Sequence, residues 1–278
     1  MSLGIAIKGT EGIVLAADSR VTLFNQMPGP LENQKVMVPS TFDNATKLLK
    51  VNLPKQRYVA AVTFGLGAIG GTEPRTASSF MPEFEAGIAD EGRLPVKQFA
   101  ERLSEFFLKQ WKNLKMPEKL PPGNDMTFMV AGYDEGAAYG TLYAFQVPSD
   151  ATPKLLIPDQ QFGANWGGQR EFTDRLLQGF DPNLPIVVQD LMGVPAEKRD
   201  ALLQQKLKGK LGIAIPWQFL PLQDCVDLAT FIIRTTIDVQ KFVVGVRGVG
   251  GAIDVATITK TTGFREIKVK QISVDGGD

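Results

Sequence analysis

Two short apolar runs open the chain and are separated by a break that contains glycine. Leu3–Lys8 alternates loosely, Ile13–Ala17 is fully apolar, and Gly9 and Gly12 supply a turn between them. Runs of this length and composition are typical of strands in a well-covered sheet, so residues 2–20 are predicted to form a β-hairpin. A strand that begins at residue 2 places the start of the chain inside the fold, which we expect only where that end has a task.

The remaining pattern groups helices between hairpins. Strands are predicted at 47–51, 57–64, 126–133, 138–147, 252–258 and 264–274, and helices at 76–89, 95–114, 169–178, 196–208 and 223–242. The polar stretch at 25–40 is predicted to be a surface loop, and a Pro-rich connection leads to the Gly-Gln segment at 162–169. This order favours an antiparallel α+β sandwich over a doubly wound βαβ fold.

The absence of histidine restricts the possible catalytic and metal-binding groups more than any other feature of the composition. With no histidine and one cysteine, a Ser-His-Asp triad, a Cys-His dyad, His-ligated zinc and a thiolate zinc cluster are all excluded. Any catalysis has to use a hydroxyl, a carboxylate, a lysine or a terminal amine. No metal and no cofactor is expected.

Charge and cysteine usage bear on partners and compartment. Lys+Arg and Asp+Glu are both 30, so nothing in the net charge attracts nucleic acid or an anionic membrane. The lone Cys225 allows no internal disulfide, which fits a reducing compartment. Because there is no basic n-region with an apolar stretch behind it and no apolar run of membrane-spanning length, we expect a cytoplasmic protein.

Ser2 and Asp18 fall at the same end of the predicted hairpin. A three-residue loop would place them opposite each other, whereas a two-residue loop shifts the pairing by one and turns the side chains to opposite faces; the sequence leaves this register open. A serine at an N-terminus can use its own α-amine, which titrates at about 7.7–8.0, as the general base. A polar turn at the end of a strand explains the same residues without any catalysis.

Two glycine-rich stretches offer rival interpretations. Gly65–Gly70 reads GxGxxG directly after an apolar run, as a dinucleotide fingerprint requires. However, Thr72-Glu73-Pro74 stands where a helix should open, and the preceding strand does not begin a βαβ unit. A second stretch, Gly245–Gly251, precedes a predicted strand and not a helix, so a tight turn is favoured over a phosphate cradle.

Four segments in order resemble the proteasome β-type subunits, which are N-terminal nucleophile (Ntn) hydrolases. They are SLGIAIKGTEGIVLAADSRVT at 2–22, NATKLLKV at 44–51, RYVAAVTFGLGAIG at 57–70 and GGAIDVATIT at 250–259. The resemblance implies a four-layer αββα sandwich of two antiparallel sheets between helical layers. It also implies a single domain over residues 1–278 with insertions near 27–43 and 181–222.

The resemblance further implies roles for individual residues. Ser2 would be the nucleophile once Met1 is removed, in the position where the family generally has threonine, and its α-amine would move the proton. Asp18 would orient Lys47, whose charge favours the ionised hydroxyl. The Gly65 backbone would hydrogen-bond an extended peptide and help form the oxyanion site, and Arg20 is the second predicted substrate-binding residue.

Several expected features of the family are displaced or missing. The supporting serine of a Ser-Gly motif aligns with Gly167, and Asp238 lies too far upstream of the Gly-Gly turn to supply the carboxylate expected there. The resulting prediction is a threonine-type peptidase with serine as the nucleophile, in a homo-oligomeric ring that accepts peptide or unfolded protein and works with an ATP-dependent unfoldase. The alternatives are a non-catalytic ring scaffold, a narrow-specificity amidase or transpeptidase, and a nucleotide-binding module on Gly65–Gly70.

Overall fold

The computed structural model describes residues 2–29, 35–71, 73–121, 123–193 and 206–270. It separates into two compact units, one of residues 1–168 with 217–278 and a smaller one of residues 169–216. Among the described residues, no helix is both long enough and apolar enough to cross a membrane.

The described residues of the larger unit form fourteen strands. In chain order they are β1 (Leu3–Lys8), β2 (Ile13–Asp18), β3 (Val21–Pro28), β4 (Lys35–Phe42), β5 (Leu48–Leu49), β6 (Val59–Gly65), β7 (Ala68–Ile69), β8 (Arg75–Thr76), β9 (Met126–Gly132), β10 (Thr141–Val147), β11 (Asp150–Ile157), β12 (Gly163–Gly168), β13 (Ile253–Thr259) and β14 (Gly263–Lys268). Its α-helices are α1 (Met81–Ile88), α2 (Val96–Asn113) and α6 (Leu222–Gln240).

Two five-stranded antiparallel sheets form the centre of this unit. Sheet 1 has the order β12-β1-β2-β13-β14, and sheet 2 has the order β11-β10-β9-β6-β5. Strands β1 and β2 contact β6, so the sheets face each other, while α6 packs on β1, β2 and β13, and α2 packs on β9, β10 and β11. The contacts therefore run helix, sheet, sheet, helix. The α+β prediction is confirmed at this level.

The β1–β2 hairpin lies between a helix on one side and a sheet on the other, and every residue of both strands is buried. This position explains why its runs read as nearly continuous apolar stretches and not as a clean alternation. Gly4 pairs with Ala17, and the Gly9 N–H donates to the Gly12 carbonyl at 3.0 Å. The loop is therefore the two residues Thr10 and Glu11, which selects the shifted register.

The prediction of a surface loop at 25–40 is wrong, because most of this segment belongs to a two-stranded ribbon. Strands β3 and β4 pair antiparallel over eight positions, from Val21 opposite Phe42 to Pro28 opposite Lys35. Both strands of a two-stranded ribbon have an open edge, and proline is tolerated in such edge strands. Pro28 and Pro39 are therefore compatible with strands at these positions.

Other element predictions differ in extent. The strand predicted at 47–51 shortens to β5, and β11 and β12 were missed within a Pro-rich connection and a Gly-Gln segment. Both missed strands lie at sheet edges, where proline and glycine weaken the strand pattern without excluding a strand. The predicted helix at 196–208 lies mostly outside the described residues, as does the end of the predicted strand at 264–274.

The smaller unit is helical in the part that is described. It contains α3 (Glu171–Leu177), α4 (Leu184–Met192) and α5 (Lys206–Leu211). The Ile213 N–H donates to the Leu177 carbonyl at 3.1 Å, which joins the second residue after α5 to the end of α3. The prediction of a single domain with insertions near 27–43 and 181–222 stays a prediction.

Candidate active site

Ser2 lies immediately before β1 and is only 3% exposed. Its Oγ accepts a hydrogen bond from the Gly65 N–H at 3.1 Å. Gly65 ends β6 on the facing sheet with φ at +87°, and a Cβ at this position would lie 2.2 Å from the Asp125 carbonyl oxygen. Only glycine fits such a position, so Gly65 can present its N–H to the serine hydroxyl.

Asp18 ends β2 with no solvent exposure and accepts hydrogen bonds on both carboxylate oxygens. Oδ1 accepts from the Leu3 N–H at 2.9 Å and from Lys47 Nζ at 2.8 Å. Oδ2 accepts from the Arg20 N–H at 3.1 Å and from the Gly250 N–H at 3.0 Å. A carboxylate with this many donors is fully satisfied although buried, and it fixes Leu3 immediately beside the serine.

Lys47 is the buried cation of the site, with 4% exposure. Besides its ion pair with Asp18, Nζ donates to the Arg20 carbonyl at 2.6 Å. Burial holds the pKa of Lys47 below its ordinary value, while the charge of Asp18 and its hydrogen bond act in the opposite direction. The structure thus brings Ser2, Asp18, Lys47 and Gly65 together.

Arg20 joins the group through its backbone, since its guanidinium has other partners. Nε and Nη2 donate to the two oxygens of Asp43 at 2.6 and 2.7 Å, and Nη1 donates to the Arg247 carbonyl at 3.1 Å. Bidentate pairing with a carboxylate fixes the plane of the guanidinium. The Arg20 carbonyl, in contrast, contacts Lys47 directly.

A narrow cleft lies beside these groups, partly open to solvent, with a cavity volume of about 10 Å³. Ser2 and Lys47 supply its reactive groups, and Val21, Phe64 and Leu66 contribute apolar walls. A hydroxyl next to a backbone donor, a buried cation and a mainly apolar wall is suited to acyl transfer, in which negative charge develops on an oxygen.

The dinucleotide interpretation of Gly65–Gly70 does not fit the structure. The glycines lead into the short strands β7 and β8 and no helix opens at them, so no helix N-terminus is available to a pyrophosphate. The second stretch, Gly245–Gly251, contributes differently: Gly250 donates its N–H to Asp18. Sequence reasoning missed this donor, although the Gly-Gly turn before β13 was the signal for it.

The missing serine of the resemblance has a structural cause. A Cβ at Gly167 would lie 2.3 Å from Phe64 Cε2, and one at Gly168, where φ is +92°, would lie 1.9 Å from the Ser2 carbonyl oxygen. Phe64 and the backbone of Ser2 therefore occupy the space that a side chain would need. Asp238 is not in the cleft either: it lies on α6, half-exposed, and pairs with Lys241 at 2.6 Å.

Within the described parts of the chain, no group of three or more His, Cys, Asp or Glu side chains is arranged to hold a metal ion.

Comparisons with known proteins were made by sequence and by structure. No family model and no curated protein matches the chain. The structure is similar to that of a (Gly-1) mutant of Anbu from Hyphomicrobium sp. strain MC1, with a TM-score of 0.51, 12% sequence identity and coverage of 99% of this chain and 89% of that one. The chain therefore shares the fold of that protein.

This result corrects the family assignment made from the sequence. The assignment to proteasome β-type subunits is wrong as an identification, because no sequence comparison supports it. At 12% identity, the likeness to Anbu shows the fold alone. The functions of the site residues therefore have to be argued from the geometry of the cleft.

Proposed function

We propose that the chain is an amide hydrolase whose nucleophile is Ser2, exposed as the N-terminal residue once Met1 is removed. The observation that supports this most directly is the 3.1 Å hydrogen bond from the Gly65 N–H to Ser2 Oγ. It places a fixed backbone donor beside the atom that would attack. Lys47, which Asp18 holds through a buried ion pair, lines the same cleft as Ser2 and contributes a positive charge there.

In the proposed reaction, the free α-amine of Ser2 accepts the hydroxyl proton, and Oγ attacks the carbonyl carbon of the amide. The carbonyl oxygen becomes an oxyanion that accepts the hydrogen bond of Gly65. The ammonium of Ser2 then protonates the leaving nitrogen, the C–N bond breaks, and an ester remains on Oγ. The same amine then deprotonates a water molecule, whose oxygen attacks the acyl carbon. The C–Oγ bond breaks, the amine returns the proton to Oγ, and the carboxylic acid is released. Lys47 favours the ionised hydroxyl because its positive charge stabilises the negative charge of the alkoxide.

The expected substrate is a peptide or an unfolded protein, and Arg20 contributes through the carbonyl that holds Lys47. A substrate contact of the Arg20 guanidinium stays a prediction. We further propose a homo-oligomeric ring as the assembly, on the strength of the proteasome-like fold. The sequence also predicts an ATP-dependent unfoldase as a partner and a cytoplasmic location, and both stay predictions.

One observation favours a narrower activity on a single amide, or amide transfer, over general proteolysis. The Phe64 ring lies close to both Gly4 and Gly167 beside Ser2. A nucleophile this enclosed admits a compact acyl group more readily than varied side chains. A scaffold without catalysis would retain Met1, and the experiment below separates it from both hydrolases.

The test is the intact mass of the purified protein before and after treatment with a β-lactone directed at serine and threonine hydroxyls. The proposal predicts loss of Met1 and one lactone adduct, which is absent in Ser2→Ala and present in the matched Ser2→Thr variant. Retained Met1 without an adduct would overturn the hydrolase in favour of the scaffold. An adduct that persists in Ser2→Ala would show that another residue is the nucleophile.

A further inference from the structure

A second carboxylate–lysine pair, with a buried carboxylate and a partly buried lysine, lies beside the first. Asp254 on β13 pairs with Lys270, and the two side chains are 2% and 13% exposed. The backbone N–H of Lys270 also donates to Asp254 Oδ1 at 3.1 Å. Because Asp254 follows Ile253, which is the strand partner of Asp18, the second pair lies one residue along the neighbouring strand from the first.

Ser19 joins this pair to the candidate active site. Its Oγ donates to Asp254 Oδ2 at 3.3 Å and accepts from Lys270 Nζ at 3.1 Å. A serine hydroxyl next to a lysine could suggest a second nucleophile. However, Ser19 has no solvent exposure, so no substrate reaches it. The hydroxyl instead anchors the residue that follows Asp18 in the chain.

The backbone of Ser19 holds the two segments that supply the partners of Asp18. Its carbonyl accepts from the Ala45 N–H at 2.9 Å, two residues before Lys47, and its N–H donates to the Gly250 carbonyl at 3.1 Å. Gly250 in turn donates to Asp18. A shift of Ser19 would therefore move both the lysine segment and the glycine donor.

We propose that Asp254 and Lys270 are positioning residues for Lys47: through Ser19 their ion pair fixes the Asp18–Lys47 geometry, and both of their charges act on Lys47. The link to catalysis rests on the proposed function, since it assumes that Lys47 acts on Ser2. The effect on Lys47 itself does not depend on that assumption.

The charges that face Lys47 come from several elements and act with different signs. Asp18 on β2 and Asp254 on β13 raise the pKa of Lys47, whereas Lys270 lowers it, and burial lowers it most. Asp43, which pairs with Arg20, interacts with Lys47 from the segment after β4. Removal of the Lys270 cation therefore has to raise the pKa of Lys47, whereas removal of the Asp254 anion has to lower it.

This opposition gives a signed test. The titration of Lys47 would be followed in the full-length protein by lysine side-chain NMR, with the resonance assigned by its loss in Lys47→Arg. We expect Lys270→Met to raise the titration midpoint and Asp254→Asn to lower it, each by roughly half a pH unit or more. Lys270→Arg keeps the cation and keeps the midpoint. Lys268→Met removes an exposed cation two residues away and is the matched control.

A purely structural role for the second pair would change stability without separating the two midpoints. Midpoints that stay within about 0.2 pH unit of the wild type, or that move in the same direction, would overturn the proposal. If Asp254→Asn does not fold, the comparison of Lys270→Met with Lys270→Arg still shows whether loss of the Lys270 cation raises the titration midpoint of Lys47.

The same variants connect the inference to the reaction. If cationic Lys47 assists Ser2, the rate of lactone acylation falls as pH rises through the pKa of Lys47. That alkaline limb then moves up in Lys270→Met and down in Asp254→Asn. A wild-type protein that is not labelled at Ser2 would overturn the proposed function and leave the NMR titration as the test of this inference. Normal labelling with unmoved midpoints would overturn the inference alone.

Discussion

Two lysines are buried at opposite ends of the β1–β2 hairpin, and they have different partners. Lys8, at the turn end, has no solvent exposure, and its Nζ donates to the Pro158 carbonyl and, at 2.8 Å, to the Asp159 carbonyl. The Phe162 ring centroid lies 5.5 Å from the same nitrogen. Lys47, at the open end, donates to a buried carboxylate. One cation therefore contacts neutral groups and the other a full opposite charge.

The comparison shows how a buried carboxylate at the open end affects the pKa of the lysine beside it. Burial lowers the pKa of Lys8 to about 8, with only the charge of Asp159 acting against it. Burial also lowers the pKa of Lys47, but there Asp18 opposes it through both its charge and its hydrogen bond. At the turn end, the lysine joins β1 to the segment after β11. At the open end, the carboxylate helps retain a positive charge beside Ser2.

The largest expected effect comes from removing that carboxylate. Asp18→Asn leaves Lys47 without an opposite charge in the interior, and loss of one member of a buried pair typically costs about 3–5 kcal/mol. The matched control is Asp43→Asn, whose pair with Arg20 is 45% exposed on the carboxylate side, so we expect less than about 1 kcal/mol. Urea unfolding measures both. Equal losses in the two variants would contradict the special role of Asp18.

Replacing Lys47 or Lys8 with methionine should have different effects on the acylation rate of Ser2 at the two ends of the hairpin. We expect Lys47→Met to slow lactone acylation of folded protein by roughly 10²-fold or more, because the charge that favours the alkoxide is gone. Lys8→Met leaves two buried carbonyls without their donor and costs about 1–3 kcal/mol of stability, while acylation stays within about threefold. Intact-mass kinetics on folded protein measure the rates. Similar slowing in both variants would remove the distinction between the ends.

The smallest effect is a pH dependence of stability at the turn end. The folded-state pKa of Lys8 lies at about 8, below its ordinary value of 10.5, so between these values the unfolded chain binds more protons. The free energy of unfolding then rises with pH across that window. Lys8→Met lacks this contribution, whereas Lys47 is present in both proteins, so the difference between wild type and variant isolates Lys8.

Urea unfolding at pH 7, 8, 9 and 10 would measure that difference. We expect it to grow in favour of the wild type above about pH 8. A difference that is flat across the range would show that Lys8 keeps an ordinary pKa, and the two lysines would then differ less than their partners indicate.

The sequence predicted the hairpin, both long helices and most central strands, because each carries a strong local pattern. It also placed Ser2 and Asp18 at one end of the hairpin. It missed the β3–β4 ribbon and the edge strands β11 and β12, where proline and glycine are tolerated because an edge has unpaired backbone groups. Lys47 was identified only through a resemblance, since nothing local marks a lysine at the start of a short strand.

The sequence by itself determined which chemistry is available. Without histidine, and with one cysteine that is buried in α6, the reactive groups are hydroxyls, carboxylates, lysines and a terminal amine. It also determined the antiparallel α+β class, since apolar periodicity is a local property. Only the tertiary structure decided the register of the hairpin, the donation of Gly250 to Asp18 across 232 positions, and the pair of Asp254 and Lys270 beside it. The Gly250–Asp18 contact joins segments far apart in the chain, and the geometry of all three features depends on how the two sheets and their connecting loops pack.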